Sequence, residues 1–194
     1  MRILGINCLN HDAAMAVVDG SEILWAAHAE RYSKIKNDHY LNNDIVREAF
    51  SYGPFDKVVY YERPMIKKTR QAYAGQWSEV FSTTNIPSQY LRQFGIRIDE
   101  YVDHHESHAA GGFYTSPFDD AVVVCIDAIG EWDTTSVWSA HHGRMEKLDS
   151  FRYPHSLGLL YSAFTHRVGL KPAEEEYILM GMAAYGKPKH RQQI

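Results

Sequence analysis

The run "AVVVCI" at 121–126 is the most apolar stretch of the chain, fenced by Asp119 and Asp120 before it and Asp127 after it. Six residues rich in β-branched side chains are too few for a buried helix and suit a buried strand. Around this strand (119–132) the order of elements is unusually informative. "TTSVWSAHH" and "RMEKLDSFRY" read as two further strands about an "HHGR" turn, and 156–168 and 174–185 read as helices. The same order opens the chain. Segments 2–8, 13–19 and 23–30 are strands joined by the short turns "LNHD" and "GSE". Asn43 or Asp44 then caps a helix that places Ile45, Ala49 and Phe50 on one face. A strand follows at 56–61, then a helix-compatible stretch at 66–95 that Pro87 divides into two. A short strand at 98–104 runs into "HESHAAGGFY", whose alanines favour helix and whose paired glycines weaken it.

A meander of three strands followed by helix-separated strands, written twice, is an α/β organisation. It matches the ribonuclease-H-like duplicated fold shared by actin and hexokinase. No internal repeat of sequence accompanies the repeat of order. Residues 1–118 form a complete first lobe on this reading, and 119–194 the start of a second lobe lacking the later strands of its sheet. An unfinished sheet leaves an open edge and an uncovered apolar face, so a partner chain carrying the remainder is expected.

With 45% hydrophobic residues in 194, the chain has material for a true core. A net charge of −4 argues against a dominant electrostatic footprint for nucleic acid. No apolar run approaches a membrane span, and "MRILGINCLN" reads as a buried strand rather than a signal peptide. Cys8 and Cys125 each lie within strand-like apolar runs, outside any CxxC. They are expected to be reduced and buried, which places the protein in the cytoplasm.

Three histidines, His104, His105 and His108, fall within "DHHESH". On a helix His104 and His108, at i and i+4, share one face and can reach a single ion, while His105 points elsewhere. Asp127, closing the apolar strand, delivers a carboxylate at the sheet's carboxyl edge, where α/β proteins bind ligands. Two imidazoles and a carboxylate suit iron(II), zinc or manganese; a solvated, His-rich helix start is the other reading of the pair. In "DAIGEWDTT" a turn with nearby hydroxyls can bind phosphate oxygens, or can be an ordinary hairpin using Gly130. In "GINCLNHDAA" His11 can act as a general base facing a cleft, or Asn10 and Asp12 can simply brace the turn. "AAYGKP" lacks the spacing of a phosphate-binding P-loop.

Six stretches in order resemble the O-carbamoyltransferase family of nodulation and antibiotic-tailoring enzymes: "GINCLNHDAA", "AAHAERYSKIKND", "YYERPMIKKTR", "HHESHAAGGFYTSPFDDAVVVCIDAIGEWDTTSVW", "SLGLLYSAFTHRVGL" and "EEEYILMGMAAYGKP". The resemblance implies a two-step reaction. Carbamoyl phosphate and ATP give carbamoyl adenylate in a YrdC-like domain, and the carbamoyl group then passes to an acceptor hydroxyl in an actin-like domain. That domain resembles the one in tRNA threonylcarbamoyl-transfer proteins and binds iron(II) or a similar ion. Carried onto this chain, the metal ligands are His104, His108 and Asp127, the ion acting as a Lewis acid on the carbamoyl donor. His11, with Asp12 beside it, sits at the reacting groups. Gly130, Glu131, Thr134 and Thr135 line the nucleotide phosphates. Arg31, Lys67 and Arg70 are anion contacts or plain surface charges.

The chain departs from the family at Ala128, where a glycine is usual, and at Glu175 and Ile178, where "Gly-Glu-Tyr-Lys" is usual. Loss of that lysine weakens a phosphate contact. The YrdC-like domain and a further acidic ligand are expected on another chain. The expectation is therefore the N-terminal subunit or fragment of a split O-carbamoyltransferase, in a hetero-oligomer with a second polypeptide. Its acceptor is a small molecule or hydroxymethylated base bearing a hydroxyl. The alternatives are a non-catalytic metal- and nucleotide-binding regulatory subunit of the same fold, and an actin-like phosphotransferase, which needs no histidine pair.

Overall fold

A computed structural model describes residues 1–189. Three strands open the chain: β1 (Arg2–Asn7), β2 (Ala14–Asp19) and β3 (Glu22–His28). A helical turn, α1 (Glu30–Ser33), leads to α2 (Asn43–Phe50), and β4 (Lys57–Tyr60) follows. Next come α3 (Pro64–Tyr73), α4 (Trp77–Phe81), α5 (Pro87–Tyr90), a 3-10 turn (Leu91–Phe94) and β5 (Glu100–Tyr101). Helix α6 (His104–Tyr114) connects to a second set of strands, β6 (Asp120–Gly130), β7 (Asp133–His141) and β8 (Arg144–Arg152). Helices α7 (Leu157–Arg167) and α8 (Glu176–Ala183) complete the described elements.

The first sheet has the order β3-β2-β1-β4-β5. Its first three strands are antiparallel, whereas β4 pairs with β1 and β5 with β4 in parallel. The parallel crossovers need intervening helices, and α2 and the α3–α5 segment supply them. The second sheet is an antiparallel meander, β6-β7-β8, which repeats the opening of the first.

Alternation builds the main core. Leu4 and Ile6 of β1 and Met15 and Val17 of β2 point to one face, and Ile45 and Ala49 of α2 join them in one buried cluster. Each such side chain contributes about 1.5–3 kcal/mol by leaving water. Tyr60 is fully buried among them, and its hydroxyl donates to the Cys8 carbonyl at 2.6 Å. A smaller cluster forms where Ala109 of α6 packs on Cys125 of β6 and Trp138 of β7. Both cysteines are free and buried.

Several boundaries differ from the sequence reading. Helix α2 is capped by Asn42, whose extended backbone lets its side chain accept from Asp44 N and Ile45 N. The helical stretch after β4 is three short pieces and a 3-10 turn rather than two helices, with Pro87 opening the last piece, where its missing N–H costs nothing. The strand before the histidines shrinks to Glu100–Tyr101, and α6 runs unbroken through Gly111 and Gly112.

Candidate metal centre

Asp103 fixes the start of α6, accepting from His105 N at 3.0 Å and Glu106 N at 3.2 Å. Ser107 Oγ donates to the Tyr61 carbonyl at 2.9 Å, pinning the same turn to the end of β4. His104 and His108 therefore project from a held first turn. Their Nε2 atoms lie 3.0 Å apart. Asp127 Oδ2 lies 3.1 Å from His104 Nε2. One ligand atom from each of the three falls within 4.8 Å of the others. Ligands about 2.1 Å from a common ion stand about 3.0 Å apart at octahedral and about 3.4 Å at tetrahedral angles, so these separations suit a small transition-metal ion. Asp127 Oδ1 is already bonded to the Ala128 N–H at 2.7 Å, which leaves Oδ2 to face the imidazoles.

The outer shell contains a residue that the sequence reading passed over. Glu62, buried just after β4, places Oε2 3.8 Å from His104 Nδ1. That Nδ1 is buried without a hydrogen-bond partner, and at this distance Glu62 acts on it through charge. Carboxylate, imidazole and ion site line up as in metalloproteins that orient a ligand histidine from behind. Lys67 Nζ holds the other Glu62 oxygen at 2.9 Å. Burial pushes His104 toward neutrality, but Asp127 and Glu62 outweigh it and lift its pKa to about 9. Burial would raise Asp127; instead His104 draws it down to about 2. Burial lowers His108, and the charge on His104 lowers it further. Two anions thus surround one imidazole, a field that a dication satisfies as well as a proton does.

Two glycines and a serine permit this packing. A Cβ on Gly130 would lie 2.2 Å from His104 Cδ2. A Cβ on Gly158 of α7 would lie 2.6 Å from the Ala128 backbone and the Asp127 carbonyl. Ser156 caps α7 through Leu159 N at 3.0 Å and donates to the Ala128 carbonyl at 2.7 Å, bracing the strand end that carries Asp127. His105 is fully buried, its Nδ1 2.8 Å from Ser136 Oγ, and points away from the ion site.

The other candidates divide. His11 Nδ1 pairs with Asp12 Oδ2 at 2.9 Å in the β1–β2 turn. Thr135 borders a cavity of about 370 Å³ with Phe151, His155 and Leu157. Arg31 is exposed, its nearest acid being Glu30 at 3.9 Å. Four expectations are corrected. Glu131, at a φ of 57°, turns its carboxylate inward to accept from Arg63 N at 2.6 Å. The Thr134 hydroxyl is fully buried and donates to the His155 carbonyl at 2.6 Å. Buried Arg70 is committed to the Glu131 carbonyl at 3.2 Å and Gln76 Oε1 at 3.0 Å. Gly130 makes room for the His104 ring rather than for a phosphate. The turn's polar groups are consumed in holding the centre together.

A five-stranded mixed sheet of this order, followed by a second antiparallel meander, defines an α/β protein. More narrowly, the chain belongs to the carbamoyltransferase N-terminal family, whose description "Carbamoyltransferase N-terminus" matches residues 91–194 and so takes in His104, His108 and Asp127. An uncharacterised protein of Synechocystis sp. is 35% identical over 97% of this chain and 35% of its own length. Nodulation protein NolNO of Sinorhizobium fredii is 24% identical over 94% of this chain and 29% of its own length. The chain thus spans about a third of the length of the curated relatives it matches. Among solved structures, ethanolamine utilization protein EutJ from Carboxydothermus hydrogenoformans aligns over 99% of this chain and 64% of its own, with a TM-score of 0.43 and 15% identity. In the described residues no helix is long and apolar enough to cross a membrane.

Proposed function

We propose that this chain is the N-terminal, metal-bearing part of an O-carbamoyltransferase. It would pass a carbamoyl group from carbamoyl adenylate, made from carbamoyl phosphate and ATP, to an acceptor hydroxyl, with AMP as the leaving group. The observation that carries this reading is the convergence of His104, His108 and Asp127 within 4.8 Å in a chain of this family. Iron(II), zinc or manganese bound there supplies Lewis-acid stabilisation of charge on the carbamoyl donor. Glu62 orients His104 from behind, and Gly130 leaves the ring its place. Asp12 accepts the Nδ1 proton of His11, which leaves Nε2 as the lone-pair nitrogen that takes the proton from the acceptor hydroxyl. Thr135, beside its cavity, is the remaining polar contact for the nucleotide side. The adenylate-forming step would belong to a YrdC-like domain.

Two measurements test this. Elemental analysis of purified protein is expected to find an equivalent of transition metal that His108→Ala and Asp127→Ala both lose. Carbamoyl transfer from carbamoyl phosphate and ATP is then assayed with the YrdC-like partner present. Transfer that depends on His11 and His108 supports the reading. Metal retention without transfer under any pairing makes the chain a regulatory subunit, and loss of neither metal nor activity in the ligand variants overturns the site.

A further inference from the structure

We infer that Asp120, His141 and His142 form a second transition-metal site at the far end of the β6–β7 pair. One ligand atom from each residue falls within 4.8 Å of the others, and all three side chains are exposed. The site does not depend on the first. Asp120 and Asp127 lie seven residues apart on one strand, and at about 3.3 Å per residue that separation is about 23 Å.

The local backbone accounts for the convergence. Consecutive residues of a strand face opposite sides, so two adjacent histidines ordinarily cannot share an ion. Here His141 ends β7 and His142 begins the turn, with φ 47° at His142 and 72° at Gly143. Two successive positive φ values are the signature of a type I′ hairpin turn. That turn swings the His142 ring back over His141, and the ring centroids stand 3.9 Å apart. Asp120 lies directly across from His141 in the β6–β7 register, and its carboxylate meets His141 Nδ1.

The first central position of such a turn is normally Asn, Asp or Gly, residues that tolerate positive φ. Histidine tolerates that backbone but the turn does not require an imidazole, and a plain Asp120–His141 ion pair needs no third member. What His142 adds is a second imidazole. Two nitrogens and one carboxylate oxygen select borderline dications such as zinc, nickel or copper(II) over magnesium or calcium, with water completing the shell. The turn is also anchored, because Tyr114 at the end of α6 donates to the Gly143 carbonyl at 2.9 Å. An ion here cross-links the start of β6 to the β7–β8 turn, at the opposite end of the helix that carries His104 and His108.

The test is zinc competition against a chromophoric chelator, using metal-stripped protein without an affinity tag. Wild type is expected to take up two equivalents. Asp120→Asn and His142→Ala should each lose one, or weaken it at least tenfold, and keep the equivalent that His108→Ala removes. Because both residues are exposed, their melting temperatures without zinc should match wild type. Should the first site fail instead, one equivalent remains, lost in His142→Ala and kept in His108→Ala. Zinc uptake by Asp120→Asn and His142→Ala equal to that of wild type overturns the inference.

Discussion

Glu62 shows how much one side chain can decide at this centre. It is the buried acid behind His104, held in turn by Lys67. Glu62→Gln keeps the volume and removes the charge facing Nδ1, so metal affinity is expected to fall about 10- to 100-fold. Chelator competition measures that change, and the metal-free protein, in which Glu62 also holds Lys67, is expected to lose about 1–3 kcal/mol. Gly130→Ala tests the same ring sterically, since its Cβ would occupy the place of His104 Cδ2. It is expected to destabilise by about 1–3 kcal/mol in denaturant melts and to abolish tight metal binding. The convergence of His104, His108 and Asp127 was legible in the sequence because Asp127 closes an unmistakable apolar run and the histidines keep helical spacing. Glu62 was not, because an acid in "YYERP" has no periodic partner, and only the fold carries it to α6. The same blindness made Glu131, Thr134 and Arg70 look like phosphate contacts. Residue type and spacing say nothing of which polar groups the chain's own backbone will claim.

Among the elements, strands were read more accurately than the helices after β4. Alternation and short turns give strands a local signature, whereas α3 to α5 are short pieces fixed by packing, with Lys68 gathering the carbonyls of Val80 and Ser82 at 2.8 and 2.7 Å. The second sheet holds an interaction with a definite pH signature. Asp133 of β7 is buried and binds Lys147 Nζ at 2.8 Å and Arg152 Nε at 3.2 Å, both on β8. Burial alone would raise its carboxyl; Lys147, and then Arg152, hold it below the ordinary carboxylate range. A lowered folded-state pKa stabilises the protein above the unfolded value, about 4, and that contribution is lost as pH falls through the folded value. Asp133→Asn is therefore expected to cost about 1–3 kcal/mol at pH 7. The gap from wild type should be smaller at an acid pH below the folded value, where both side chains are neutral. Urea melts at the two pH values check the sign, and a gap that widens in acid contradicts the assignment.

At the scale of the molecule, the order of elements announced the duplicated fold, because three strands followed by helices is a pattern few architectures repeat. The two sheets differ in how well they are enclosed. The first sheet has a continuous core, whereas in the second Val122, Val124 and Ile126 are 68%, 54% and 61% exposed along one face of β6. That strand is also an edge among the described residues, for it pairs with β7 alone. In the first sheet the equivalent strand, β1, has β2 on one side and parallel β4 on the other. An apolar face beside an unpaired edge is a template for association. The 194-residue chain expressed by itself is therefore expected to bind a hydrophobic dye and to self-associate as its concentration rises. Val124→Lys puts a charge on that face without touching the Cys125 side, which packs against Ala109. It should shift sedimentation toward monomer and reduce dye binding while leaving the first lobe's aromatic circular dichroism unchanged. A wild-type chain that stays monomeric and dye-free at high concentration would mean that this face is already covered, and the account of the second lobe as an open half-sheet would fall with it.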